Sequence, residues 1–319
     1  MYIDVFNGDA DGICALHQLR LSHPIENNQL VTGLKRDINL LSKVSASEGD
    51  KITVLDISLD KNRDNLIELL NLGADITYFD HHYAGDIPNH ARLTTHIDTQ
   101  PAICTSLLVN QSLQGKHLLW AVTAAFGDNL FQSAKEAARP LSLPSSKLDL
   151  LKNLGTCINY NGYGGSIDDL FFHPAELYKK LIPFENPFDF IKEENAYAIL
   201  FDGYKEDMLK ADTVVSEFDN AIGSVFILPN EKWARRVSGI FGNSLAQRFP
   251  NKAHAILSLR NEGIYQVSVR APISVKEGAD TLCRQFETGG GRKAAAGINE
   301  LPAGTIDFFI KAFLKQFTI

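Results

Sequence analysis

At 319 residues the chain has room for about two domains of roughly 150 residues each. Its 45% hydrophobic and 22% charged content excludes a disordered or fibrous protein. Its net charge of −7, from 31 basic and 38 acidic residues, lacks the basic surplus of a protein that grips long nucleic acid, so phosphate chemistry here is predicted to involve a small or short substrate.

In chain order, Tyr2–Phe6 (YIDVF) reads as a strand and runs into the Asn7-Gly8 turn signal, with a helix predicted over Gly12–Leu21. Ile52–Ile57 is predicted as a second strand, Asn62–Leu72 as a helix ending near Gly73, and Ile76–Phe79 as a further strand. This alternation predicts a parallel sheet with helices on both faces and ligands at the carboxyl ends of its strands. Residues 104–200 carry mostly helical patterns, interrupted by Asn161-Gly162-Tyr163-Gly164-Gly165. The polar stretch Glu193–Lys210 is predicted as a helical connector. After residue 212, strands near Ala221–Leu228, Ala253–Leu259 and Tyr265–Ala271 alternate with helices near 234–248, 275–286 and 305–316, which predicts a smaller second α/β domain. The expected division is 1–190, a linker over 191–212, and 213–319. Cys14, Cys104, Cys157 and Cys283 form no CxxC pair, the first residues (MYIDVFNGDADG) are acidic, and no apolar run reaches the ~18 residues of a membrane span, so a reduced, cytoplasmic protein off the membrane is expected.

Acidic residues gather where such a sheet places its ligands. Asp9 and Asp11 follow the first strand, Asp56 closes the second, Asp80-His81-His82 follow the third, and Asp128 ends the apolar segment Leu118–Phe126. Carboxylates converging on one sheet edge repel one another unless a cation lies between them, and with an imidazole added the set suits manganese or magnesium. Taken singly, Asp11 and Asp128 fit helix caps equally well. Asn7, Asp9, Asp11 and Gly12 match part of a calcium loop, but Gln18 stands where its bidentate glutamate is required and a strand precedes it. No nucleotide-binding glycine signature follows a strand, and no serine or cysteine nucleophile motif is present.

Near the carboxyl end, Thr288-Gly289-Gly290-Gly291-Arg292-Lys293 precedes Ala294–Gly297, a run with helical propensity. A glycine turn before a helix makes an anion site, although the glycines alone fit a flexible loop equally well. Alternation along the preceding strand puts Gln266, Ser268 and Arg270 on one face and Tyr265, Val267 and Val269 on the other, and the polar face suits a phosphate or a base edge. Arg235, Arg236 and Arg284 read equally well as solvated surface residues.

The ordered set Asp9-Ala10-Asp11-Gly12, Asp56, Asp80-His81-His82 and Gly127-Asp128, followed by Gly289-Gly290-Gly291-Arg292 and the Arg270 strand, resembles the DHH phosphoesterase superfamily with its DHH-associated C-terminal domain. The resemblance spans nearly the whole chain. It implies two divalent ions, most commonly Mn²⁺ with Mg²⁺ or Co²⁺ also suited, in the N-terminal domain, and a second domain closing over a cleft. It further implies Asp9 on one ion, Asp11 on the other, Asp56 bridging both, and His81 and Asp128 completing the ligands of the second ion. His82 would face the scissile phosphate, with Asp80 orienting its neighbours. Substrate contacts would come from Ser268, Arg270, Gly289, Gly290, Gly291, Arg292 and Lys293. Two positions depart from the pattern. Asn7 replaces a histidine metal ligand, and Arg292 stands where many members carry histidine after the glycines. The implied activity is hydrolysis of linear dinucleotides or very short oligoribonucleotides, such as pGpG from cyclic di-GMP turnover, by a monomer or homodimer. A 3′-phosphoadenosine 5′-phosphate-type phosphatase and a non-catalytic nucleotide-binding protein are the alternatives.

Overall fold

The structure is a computed structural model and describes residues 1–261 and 263–318. The chain divides into two compact units, Met1–Asp202 and Gly203–Ile319.

The first unit begins with β1 (Tyr2–Phe6), α1 (Ala10–Ser22), β2 (Gln29–Val31), β3 (Lys51–Leu55), α2 (Leu59–Asn71), β4 (Asp75–Asp80) and β5 (Leu93–Ile97). Its sheet has the order β2-β1-β3-β4-β5 and every pair is parallel. The three inner strands β1, β3 and β4 are largely buried on both faces, as covered parallel strands are. Ile3, Val5, Ile52 and Val54 face a core with Leu66, Leu69 and Leu70 of α2. Phe6, Leu55 and Phe79 face the opposite core with Ile13 and Leu16 of α1. Helices therefore cover both faces, as the sequence predicts. β2 and β5 are additions to that reading, because three residues (QLV) and a strand of alternating exposure carry too little apolar signal.

The rest of this unit is helical: α3 (Thr105–Ser112), α4 (Leu118–Gly127), α5 (Phe131–Ala138), α6 (Ser145–Asn161), α7 (Pro174–Leu181), α8 (Pro187–Glu193) and α9 (Asn195–Asp212). Trp120 of α4 and Leu154 and Ile158 of α6 close the α1-side core. α9 is one unbroken helix across the boundary between the units. Among the described residues no helix is long and apolar enough to cross a membrane.

The second unit contains β6 (Phe218–Asp219), β7 (Gly223–Leu228), α10 (Lys232–Arg248), β8 (Ala253–Asn261), β9 (Ile264–Arg270), α11 (Ala279–Cys283), β10 (Gly289–Arg292), β11 (Ala295–Pro302) and α12 (Ile306–Phe317). The mixed sheet has the order β10-β11-β9-β8-β7-β6, with β7 and β8 parallel and the other pairs antiparallel. The helix predicted over 275–286 is only five residues long. The helical reading of Ala294–Gly297 is wrong. Ala294 lies in the turn after β10, and Ala295–Gly297 start β11, which pairs with β9 on one side and with β10 on the other. A Cβ on Gly297 would lie 2.7 Å from the Val267 carbonyl oxygen, so small residues are what let β11 fit between its neighbours, and sheet pairing outweighs a weak local helix preference.

Candidate metal centre

In a 2-1-3-4-5 parallel sheet the connections change direction between β1 and β3, and that crevice at the carboxyl ends of the strands is the ligand site. The residues following β1, β3 and β4 meet there. Asp9 is the N-cap of α1, its Oδ1 accepting from the backbone N–H of Asp11 at 3.0 Å and of Gly12 at 3.1 Å. Asp11 does not cap its own helix. Its two oxygens accept from Thr105 N and Ser106 N, each at 2.7 Å, at the start of α3, which spends the free amides of that helix terminus on a fixed negative charge. Asp128 caps no following helix either, since it sits at the C-terminal end of α4 and Leu130 precedes α5. Asp56 adopts φ 60°, the left-handed region disfavoured for a non-glycine residue, and its Oδ1 accepts from Thr105 Oγ1 at 3.0 Å.

The two histidines are oriented differently. His81 Nδ1 lies 2.9 Å from the Ile103 carbonyl oxygen. A carbonyl only accepts, so Nδ1 carries the proton and the Nε2 lone pair points inward, as a metal-ligating imidazole requires. Nε2 is 3.4 Å from Asp56 Oδ1, 3.9 Å from Asp128 Oδ2 and 4.0 Å from Asp11 Oδ2. His82 Nδ1 contacts Asp80 Oδ1 at 2.8 Å, and the same oxygen accepts from His81 N at 2.9 Å. Asp80 thus holds the His82 ring and the His81 backbone.

Burial and then the neighbouring Asp11, Asp9, Asp128 and Asp80 push the Asp56 carboxyl well above the usual range. Burial also raises Asp128, with Lys35 opposing and Asp11 and Asp9 adding to the rise. Burial would lower His82, but the hydrogen bond and charge of Asp80 outweigh it and raise the imidazole. Among the described residues two groups bring three ligand atoms within 4.8 Å of one another: Asp56, His81 and His82, and Asp11, His81 and Asp128. Ligands about 2.1 Å from one ion lie no more than about 4.2 Å apart, and the His81 separations fall inside that limit. Oxygen donors with one imidazole fit a divalent ion of the manganese or magnesium type.

The first-site residues are arranged otherwise. Asn7 donates through Nδ2 to the Lys35 carbonyl oxygen at 3.1 Å, and its Oδ1 is buried with no hydrogen-bond partner among the described residues. The Lys35 ammonium lies 2.5 Å from Asp9 Oδ2, 2.9 Å from Asn159 Oδ1 and 3.4 Å from Asp128 Oδ1. Burial raises Asp9, but Lys35 outweighs it and holds the carboxyl below its ordinary value. Burial likewise lowers Lys35, while Asp9, Tyr163 and Asp128 raise it well above the usual lysine range.

In the second unit, Ser268 and Arg270 share a face of β9 as alternation predicts. The Arg270 guanidinium is directed by Asn243 Oδ1 at 2.6 Å and Ser268 Oγ at 2.8 Å. Gly289, Gly290 and Gly291 form the edge strand β10, not a loop into a helix. Arg292 is exposed. Lys293 pairs with Glu277 at 3.0 Å and lines a cavity of about 750 Å³ together with Pro272, Asp280 and Phe317.

The whole chain superposes on known structures. A manganese-bound RecJ exonuclease matches with TM-score 0.64 at 15% identity over 98% of this chain and 89% of its own. A pGpG-specific phosphodiesterase, PggH from Vibrio cholerae, matches with TM-score 0.59 at 15% identity over 99% of both chains. CDC45 from Entamoeba histolytica matches with TM-score 0.54 at 10% identity over 100% and 95%. The chain has the fold of these proteins, as the resemblance of its sequence predicts. No protein-family model and no curated protein matches the chain by sequence.

Within that fold, sequence reasoning missed Lys35, Thr105, Ser106 and Asn159. Lys35 sits in the loop after β2, and without that strand in view Lys35-Arg36-Asp37 reads as a surface charge run. Gly8 was the available signal. Its missing Cβ would stand 1.8 Å from the Gly33 carbonyl oxygen, so a glycine here marks a backbone passing against the segment that leads into Asp9 and Asp11.

Proposed function

We propose that the chain is a divalent-metal-dependent phosphodiesterase that hydrolyses linear dinucleotides or very short oligoribonucleotides, pGpG among them, to mononucleotides. The observation that carries this reading is the cage of Asp11, Asp56, His81 and Asp128 at the β1/β3 crevice. A divalent cation bound there would supply Lewis acidity toward a phosphoryl oxygen and a lowered pKa for water. The chain's own residues do the rest. The α3 amides hold Asp11, and the Ile103 carbonyl holds His81, in place before any ligand arrives, and such preorganisation is what makes electrostatic catalysis effective. Asp80 favours the protonated form of His82, whose side chain is 44% exposed. His82 is therefore the group placed to donate a hydrogen bond to a phosphoryl oxygen or a proton to the leaving oxygen. Ser268, Arg270, Gly289, Gly290, Gly291, Arg292 and Lys293 are the proposed nucleotide contacts of the second unit, with Arg270 held ready by Asn243 and Ser268.

Short substrates are supported by the net charge of −7 and by end-to-end likeness to a pGpG-specific phosphodiesterase. The test is a panel with Mn²⁺: pGpG and other dinucleotides, a longer RNA, 3′-phosphoadenosine 5′-phosphate and a cyclic dinucleotide. Mononucleotide release from dinucleotides, with little from the longer RNA, is the expected result. Release of inorganic phosphate from phosphoadenosine phosphate alone would replace the reading with a phosphomonoesterase. Tight nucleotide binding without any product would replace it with a binding protein.

A further inference from the structure

We propose that this centre holds a single divalent cation and that the Lys35 ammonium stands where a second would lie. The inference rests on the metal-dependent reading above and concerns how many ions that reading requires.

An ammonium offers three N–H donors, and Lys35 meets three oxygens, from Asp9, Asn159 and Asp128. Its backbone is held on both sides as well. Lys35 N donates to the Gly162 carbonyl oxygen at 2.9 Å, and its own carbonyl accepts from Asn7 Nδ2. This is a built position for a cationic side chain. Both oxygens of Asp9 are engaged, Oδ1 by the first amides of α1 and Oδ2 by the ammonium. A divalent ion on Asp9 Oδ2 would have to share that oxygen with a positive charge 2.5 Å away and would be repelled by it. The remaining first-site donor is the neutral Asn7 Oδ1, a weak ligand by itself.

At the other position the Asp11 and Asp56 oxygens accept from neutral donors, the Thr105 and Ser106 amides and the Thr105 hydroxyl, which leave a cation unrepelled. Asp11, His81 and Asp128 direct ligand atoms toward a common point, and Asp56 Oδ1 lies 3.4 Å from His81 Nε2. Asp128 joins the two positions, presenting Oδ1 to the ammonium and Oδ2 toward His81. Asn7 and Lys35 thus act together: the residue that withdraws an imidazole ligand also braces the lysine that fills the gap. A fixed positive charge offsets negative charge on a substrate but supplies no Lewis acid and activates no water, so all metal chemistry would fall to one ion.

The experiment is a count. The full-length chain, stripped with chelator, is dialysed against excess Mn²⁺, then read by elemental analysis and by electron paramagnetic resonance. One manganese per chain with the spectrum of an isolated ion is expected. The double variant Asn7→His/Lys35→Met is expected to bind two, with an exchange-coupled spectrum, its fold checked by circular dichroism. Two coupled ions in the wild type would overturn the inference and leave the metal-dependent reading standing. No manganese in the wild type would sink both. A well-folded double variant that still binds one would overturn the blocking role of Lys35. Should the double variant not fold, Lys35→Arg, which keeps the charge, is expected to remain at one ion, and a rise to two would overturn the proposal.

Discussion

Asp56 concentrates the conflict between stability and function in this centre. It is 2% exposed, in a left-handed backbone conformation, and surrounded by Asp11, Asp9, Asp128 and Asp80. In the metal-free protein that arrangement is costly, and a bound cation reverses the sign of the effect. Replacing the carboxylate by its isosteric amide separates the two. Asp56→Asn is expected to reduce turnover by at least about 100-fold, the scale of losing a major electrostatic contribution. The same change is expected to stabilise the chelator-treated protein by on the order of 1 kcal/mol, as residues strained for function commonly do when relieved. Urea denaturation with and without Mn²⁺ checks this. A variant that is less stable without metal, or that keeps near-full activity, would show that Asp56 is structural and not a ligand.

At the scale of elements, the centre depends on how closely α4 and α6 cross. Gly127 and Gly155 meet at that crossing, where a Cβ on Gly155 would stand 2.1 Å from the Thr123 carbonyl oxygen and one on Gly127 2.7 Å from the Gly155 carbonyl oxygen. The crossing sets Asp128, one residue past the end of α4, and Asn159, near the end of α6, around Lys35. Gly155→Ala is therefore expected to destabilise the fold by about 1–3 kcal/mol, the usual cost of overpacking, and to weaken Mn²⁺ binding because α4 must shift. Thermal melts paired with Mn²⁺ titration test it, and a stability loss with unchanged affinity would break the link between crossing and centre. This also explains what was legible from sequence. Asp9, Asp11, Asp56 and His81 follow strands with clear β-branched runs, so their place at one sheet edge could be read directly. Lys35 and Asn159 reach the same point only through β2, which is three residues long, and through a helix crossing built on glycines. Ala294–Gly297 failed for a related reason, since its state is decided by β9 and β10 and not by its own residues.

His17 in the first unit and His254 in the second are almost fully buried, and burial favours their neutral forms, so both bear on how the molecule responds to acid. His17 donates from Nε2 to the Phe184 carbonyl oxygen over 2.8 Å and meets the Trp120 ring edge-on at 4.7 Å. Burial lowers its pKa to about 4. His254 in the second unit contacts Ser224 Oγ at 2.8 Å, and burial lowers it to about 4 as well. A histidine depressed in the folded state favours folding fully above its unfolded value of about 6.5, and that contribution is lost as pH falls from there toward 4. The size is about 2 kcal/mol per histidine by pH 5. The raised carboxyls of Asp56 and Asp128 act in the opposite sense, so the histidine contribution has to be isolated by substitution. Trp120 and Trp233 lie in different units, so a Trp233→Phe background makes fluorescence report the first unit alone. In that background His17→Gln is expected to lose about 2 kcal/mol less stability between pH 7.5 and pH 5 than the parent does. His254→Gln should do the same for the second unit in a Trp120→Phe background. Parallel pH slopes for variant and parent would mean that these imidazoles accept a proton without cost, and that their burial does not govern the acid limit of either unit.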